Sequence, residues 1–485
     1  MKQRIFALVL AFLFMLPAVA GCSQTGGETP ESSSGTADSV TQSPAGGSDT
    51  TEPSGTAETT VPIEQTDTEK TDEPTADPDD KHYYITYYQG IPAENQSLER
   101  YREAVDAGFN LLSIDSGSVE QRQQALRWCE ELGVRAAVRD DRLIDILYND
   151  WETRLENPEA LDAVVRTVVD DFRDYPALYA YDLIDEPEDG KFPLLGALVE
   201  LFRKYDPDRI CYINIFPDYP DPSDEPGYYE RYLEHYLETV KPDLLSYDHY
   251  HLKWTARKSE LTDITDPADV GAYTAGLTKK DNIGFFFNLE DVRHSALGHG
   301  VPYMVIVQLS EWGKSRYLVR EEISFLAWQT LAYGCTVLSY FTYWTPSAGF
   351  YNAMLTMSGE RTAHYYDVQA INAAITPIGE RVAQTRSAAV FHVGWEDDRE
   401  HVTFFPSQGY GAVRSIGGGE YTVGFFEDGT FIIANKDYEE PSRCTVEADG
   451  ALEIFDIETE TFVPVTENVF DLPAGGGVYL RVAEQ

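Results

Sequence analysis

The stretch Leu178–Pro187 reads LYAYDLIDEP, a nearly unbroken apolar run that ends in two adjacent carboxylates, Asp185 and Glu186. Such a run is the pattern of a strand buried on both faces. Helix-forming sequence resumes at Phe192. A carboxylate pair where a buried strand emerges beside a helix can do acid–base work, one carboxyl kept protonated by its surroundings while a neighbour stays ionised. A solvated acidic turn would read the same in isolation, so the weight rests on the elements around it.

Those elements repeat. From Tyr83 onward, buried-strand runs alternate with amphipathic helical runs, as in a parallel α/β fold. Strands are expected at Tyr83–Gly90, Asn110–Gly117, Val134–Asp141, Leu178–Pro187, Ile210–Pro217, Leu244–Leu252, Tyr303–Leu309 and Thr336–Tyr343. Helices are expected at Ser97–Phe109, Val119–Leu132, Pro158–Asp174, Tyr228–Val240, Arg320–Tyr333 and His364–Gln384, with a long irregular connection through Asn288–Gly298. Eight such repeats in about 300 residues predict a (β/α)8 TIM barrel. From about Ser387 short alternating runs take over, and Asp428-Gly429 between Thr422–Phe426 and Thr430–Ala434 is a hairpin signal. Further strands near Leu452–Asp456 and Val478–Val482 complete a small C-terminal antiparallel β-sandwich.

A barrel of this kind carries its active site at the carboxyl ends of its strands. Those ends hold Gln89, Asp115, Arg139-Asp140-Asp141, Asp185-Glu186, Asn214, Asp248-His249-Tyr250-His251, Gln308 through Glu311, and Tyr343-Trp344. Trp151, Trp254, Trp312 and Trp344 lie just beyond strand ends. Flat indoles in open loops suit the apolar faces of sugar rings, although loops packing on one another would hold a tryptophan equally well. His249 and His251 flank Tyr250, so both imidazoles face one side of a strand end. Two histidines invite a metal, but no third ligand stands at useful spacing; contact with sugar hydroxyls is the expectation, with no metal.

DEP at the fourth strand end, SYDHYHL at the sixth, QLSEWG at the seventh and YFTYWTP at the eighth carry a family likeness. With ITPIGERVAQTRSAAVFH, FIIANKDY and LPAGGGVYL downstream, the chain from about residue 82 to its end resembles the clan A glycoside hydrolases, in particular β-galactosidase-like members of family 42. The resemblance implies cleavage of a β-linked glycoside by a two-carboxylate, retaining mechanism without a cofactor. It makes Glu186 the acid and Glu311 the nucleophile. Asp185, Asn214, Asp248, His249, Tyr250, His251, Gln308, Trp312, Tyr343 and Trp344 would surround the sugar. Asp185 replaces the asparagine usual before the acid, exchanging a donor for an acceptor and pushing the pKa of Glu186 upward. Glu311 stands three residues past Gln308 and reaches the pocket only if the strand runs on through Ser310. Otherwise it is a surface carboxylate, with Asp248 next in line as nucleophile and Glu290 or Glu322 behind it. The rival from another class is a non-catalytic carbohydrate-binding protein on a barrel that has lost its nucleophile.

The amino end belongs to no folded domain. Met1–Arg4 is basic, Ile5–Ala20 apolar, and Val19-Ala20-Gly21-Cys22 follows. This is the pattern of a secretory signal, and with its cysteine it resembles the lipobox of bacterial lipoproteins. The expected organisation is a signal over 1–22 with Cys22 lipidated and membrane-bound, an acidic disordered linker over 23–81, the barrel over 82–386 and the sandwich over 387–485. An extracytoplasmic, lipid-anchored position follows. The formal net charge of -45 argues against nucleic acid as a partner. Cys129, Cys211, Cys335 and Cys444 are scattered without ligand spacing and are expected as buried thiols.

Overall fold

The computed structural model describes residues 81–149, 151–218, 227–256, 258, 260–281, 284–395 and 402–483. The signal, Cys22 and nearly all of the linker lie outside them. Eight parallel strands form one sheet: β1 (Tyr84–Tyr88), β2 (Leu111–Ile114), β3 (Arg135–Arg139), β4 (Leu178–Asp185), β5 (Ile210–Ile215), β6 (Leu245–His249), β7 (Tyr303–Gln308) and, after a two-residue strand β8 (Glu311–Trp312), β9 (Val337–Phe341). Each pairs in register with its chain neighbour from β2 to β7, then β7 with β9 and β9 with β1. Asn110 joins the seam between β1 and β2: its backbone N–H donates to Ile85 O (3.2 Å), and its side chain accepts from Ile85 N (2.7 Å) and donates to Tyr83 O (2.9 Å). The result is the expected (β/α)8 barrel.

The strands are buried on both faces, so their sequence shows continuous apolar runs rather than alternation. Tyr88, Ala137, Ala180, Tyr212, Met304 and Ile306 belong to the cluster that fills the barrel. A larger core lies between strands and helices. Two helices depart from the expected pattern. Asp141–Tyr148 follows β3 directly, capped by Asp140, which accepts from Arg142 N. Gly284–His299 is helical where an irregular connection was expected. Phe285, Phe286, Phe287, Leu289, Val292 and Ala296 bury it around much of its circumference, which removes the apolar stripe that identifies a helix in sequence. Among the described residues no helix is long and apolar enough to cross a membrane.

The carboxyl-terminal region is a sandwich of a six-stranded and a three-stranded antiparallel sheet. The hairpin strands are Tyr421–Phe426 and Thr430–Asn435, turning at Gly429 with φ 83°. Helix Arg320–Tyr333 runs between barrel and sandwich and is buried on nearly every side. A Cβ at Gly424 would lie 1.7 Å from Ala332 O, and one at Gly477 would lie 2.4 Å from the Trp328 ring. Only glycine permits that approach. Cys129, Cys211, Cys335 and Cys444 are buried free thiols.

Candidate active site

The last residues of β4 leave the sheet in an unusual conformation. Glu186 has φ 45°, and its backbone N–H donates to Asn214 O (2.8 Å) on β5. Tyr232 from the helix Tyr228–Val240 donates to Pro187 O (2.9 Å), fixing the turn from the other side. A left-handed backbone at a residue with a side chain costs about 1–3 kcal/mol and persists where the surroundings over-determine it, as at functional sites.

Three carboxyls converge there. Asn214 Nδ2 donates to Asp185 Oδ1 (3.0 Å) and to Asp248 Oδ1 (2.8 Å), while its Oδ1 accepts from Ser246 Oγ (3.1 Å). The Glu186 carboxyl follows Asp185 in the chain and feels the charges of both Asp248 and Asp185. Asp185 and Glu186 are half-buried; Asp248 is buried. Burial first, then the charges of Asp248 and Asp185, push Glu186 up to about 10. Asp248 rises to about 7 from burial and the Asp185 charge, against hydrogen bonds from Asn214 and Tyr250. Where burial and neighbouring carboxylates oppose a further charge, Glu186 keeps its proton at neutral pH.

Beneath them inside the barrel, Arg139 donates from Nε to Asp182 Oδ2 (2.9 Å) and from Nη2 to Tyr88 OH (2.9 Å). Burial pushes Asp182 up to about 6 even so. On one side of the mouth, Tyr148 stands beside Asp185, and Lys191 Nζ lies 4.7 Å from the Tyr148 ring and 5.9 Å from that of Trp151. On the other side is a half-buried aromatic wall. Tyr250 lies 5.1 Å from Trp312 and 5.3 Å from Phe341, and Trp312 lies 5.6 Å from Phe350. Lys253 Nζ sits 5.4 Å over Trp312 and bonds Ser315 Oγ (2.8 Å); burial lowers it to about 8.

Several expected site residues have other positions. Gln308 is fully buried, with its amide accepting from Leu252 N and donating to Leu252 O and Arg316 O. It ties loops together, with both amide hydrogens donated to backbone carbonyls. His249 and His251 do face one side, but that side is the helical layer, where Phe285 stacks 4.2 Å from His251. Burial holds His251 well below the ordinary histidine value. Tyr343 stacks on Tyr87 (4.6 Å) in the core, and Trp344 is buried with Arg100 5.3 Å over its ring. Trp254 is likewise buried. Among the described residues no group of three or more His, Cys, Asp or Glu is arranged to hold a metal.

Glu311 requires the clearest revision. β8 pairs with β10 (Phe350–Tyr351) as a small ribbon above the barrel, with Glu311 opposite Tyr351. Its carboxylate accepts from Trp254 Nε1 (3.4 Å), Tyr273 OH (2.7 Å) and Asn352 Nδ2 (3.0 Å), and the residue has no exposed surface. The charge acting on it is that of Lys258, whereas the charges acting on Glu186 are those of Asp248 and Asp185. Glu290 is bound to Arg293 on its own helix, and buried Glu322 is held by Val319 N, Lys279 and Arg316.

An open cavity of about 490 Å³ lies at the opposite end of the barrel, lined by His82, Asn110, Arg135 and Glu380. The convergent carboxyls of Asp185 and Asp248 lie away from it, so the chemistry points to the strand carboxyl ends. Phe341, Phe350, Lys253 and the Arg139–Asp182 pair were not anticipated; a lone Asp inside the run LYAYDLID was the available signal for the last.

The sequence matches no protein-family model and no curated protein. Solved structures resembling it include β-galactosidase from the psychrophilic Marinomonas ef1, at 10% identity and a TM-score of 0.43, covering 62% of this chain and 62% of that one. Xylanase 10B from Thermotoga maritima aligns at 12% identity and a TM-score of 0.40, covering 61% of this chain and 96% of that one. A family 5 mannosidase from Rhizomucor miehei aligns at 8% identity and a TM-score of 0.43, covering 62% of this chain and 94% of that one. These likenesses concern the arrangement of the chain and carry nothing about the chemistry of its mouth.

Proposed function

We propose that this chain is a glycoside hydrolase in which Glu186 protonates the leaving-group oxygen. The observation that carries this reading is the convergence of Asp248 and Asp185, the residue before Glu186, on one Asn214 amide at the strand ends. Glycosidic cleavage needs an acid that keeps its proton at neutral pH, and negative charge close to the oxocarbenium-like centre. Glu186 meets the first need and its carboxylate neighbours the second. Tyr250, Trp312, Phe341 and Phe350 offer flat apolar surface to a sugar ring. The motif likeness at the fourth, sixth, seventh and eighth strand ends supports a β-linked substrate.

Glu186→Gln is the test. Hydrolysis of β-glycosides with poor leaving groups should fall by roughly 10²–10⁴-fold, the usual worth of general acid catalysis. Activated aryl glycosides, which need little protonation, should keep most of their rate. Equal loss on both classes would remove Glu186 as the acid, and a wild type inert across a panel of β-glycosides would refute the hydrolase.

The pattern of Met1–Cys22 supports an extracytoplasmic position with Cys22 lipidated, and the composition of residues 23–81 supports a spacer before a barrel over 82–386 and a sandwich over 387–485.

A further inference from the structure

A glycosidase with an acid in place also needs something to occupy the anomeric carbon on the opposite face. General chemistry offers three sources: an enzyme carboxylate about 5–5.5 Å from the acid, a water held by a carboxylate about 6.5–9.5 Å away, or the 2-acetamido oxygen of the substrate itself. The first is poorly served here. The end of β7 presents Gln308, an amide whose hydrogens are donated to Leu252 and Arg316, and Glu311 is covered and triply bonded. Asp248 is bound to the same Asn214 amide nitrogen as Asp185, the residue before Glu186, and so lies on the acid's side. The second is no better served, because Asp185 and Asp248 are bound to one amide nitrogen of Asn214 and so share the acid's side of the mouth.

The third fits. A sugar that supplies its own nucleophile needs a carboxylate beside the acid to accept the amide N–H and to balance the cyclic cation. Half-buried Asp185 adjoins Glu186 in the chain, and its Oδ1 is oriented by Asn214. Tyr148 and Trp151 lie on the Asp185 side and offer apolar surface for an acetyl methyl group.

Building on the hydrolase reading, we infer that the substrate is a β-linked 2-acetamido-2-deoxyhexoside, cleaved with its own amide oxygen as nucleophile and with Asp185 receiving the amide N–H. In the first step the amide oxygen bonds to C1, the C1–O bond to the leaving group breaks, and the Glu186 proton passes to the departing oxygen. The resulting oxazolinium carries the positive charge. In the second step water adds to C1, the C1–O bond to the amide breaks, and Glu186 recovers a proton from that water. The anomeric configuration is retained.

The test uses the full chain and 4-nitrophenyl 2-acetamido-2-deoxy-β-D-glucoside and -galactoside, together with their N-trifluoroacetyl analogues and the corresponding 2-hydroxy glycosides. Turnover of an acetamido substrate should fall by roughly tenfold or more on trifluoroacetylation, as for a weakened nucleophile. A sugar-fused thiazoline should inhibit competitively, and Asp185→Asn should lose both the rate and the sensitivity to fluorination. If the 2-hydroxy glycosides are hydrolysed as well as the acetamido compounds, with no fluorine sensitivity, this inference falls while the hydrolase stands. If neither class is cleaved, both fall.

Discussion

Asp185 and Asp248 stand on strands that are not neighbours, yet their carboxyls accept from one amide nitrogen. Asn214, on the intervening β5, holds Asp248 with the same amide nitrogen that binds Asp185. The geometry gathers three acids at one strand-end site.

That site sets a pH dependence. Both carboxyls are raised from ordinary values of 4.5 and 3.8, Glu186 to about 10 and Asp248 to about 7. The folded protein therefore holds protons that the unfolded chain releases, so the pair's contribution to stability is complete below about pH 4 and lost as pH rises through 7 and beyond. Tm should decline across that window, and Asp248→Asn should flatten the decline. The same variant removes a like charge, so the alkaline limb of kcat/KM should move to lower pH. An unmoved limb would show that Asp248 does not tune the acid.

Two tryptophans that look equivalent in sequence should behave oppositely. Trp312→Ala removes a half-buried platform worth about 0.5–1.5 kcal/mol, so saccharide binding should weaken roughly two- to tenfold with little change in Tm. Trp344→Ala opens a cavity in packed surroundings and should cost about 3–5 kcal/mol of stability. Calorimetry alongside ligand titration distinguishes the two, and the reverse pattern would exchange their roles.

Glu311→Ala leaves Trp254 Nε1, Tyr273 OH and Asn352 Nδ2 without their shared acceptor. Each stranded buried donor costs about 1–3 kcal/mol, so denaturant unfolding should show a clear loss of stability. A variant as stable as wild type but wholly inactive would return Glu311 to the role of nucleophile.

How much of this was legible follows from where the information resides. The carboxyl pair at Asp185-Glu186 and the eight-fold repeat are local patterns and could be read directly. The convergence of Asp185 and Asp248 on Asn214 depends on the order β4–β5–β6 and on strand depth, which no local window contains. Period two placed His249 and His251 on one face but could not say whether that face met the mouth or Phe285. The surroundings of Gln308 and Trp344 are decided by residues distant in the chain, Arg316 in a loop and Arg100 on the helix Leu98–Asp106. Helix Gly284–His299 lacked a stripe because it is covered on most sides.

The amino end yields a prediction of its own. Cys22→Ser should release the protein from membranes into the soluble fraction with its melting behaviour unchanged. Retention in the membrane fraction would rule out the lipid anchor.

Helix Arg320–Tyr333 presses its Ala332 carbonyl and Trp328 ring against Gly424 and Gly477 of the sandwich. The two parts are therefore poor candidates for exchange as modules. A gene shortened at residue 386 would leave Phe325 and Trp328 facing water and yield an insoluble barrel, whereas the sandwich grafted onto another enzyme would lack the helix its glycines were shaped to receive. Engineering of this protein is best confined to the segment ahead of His82.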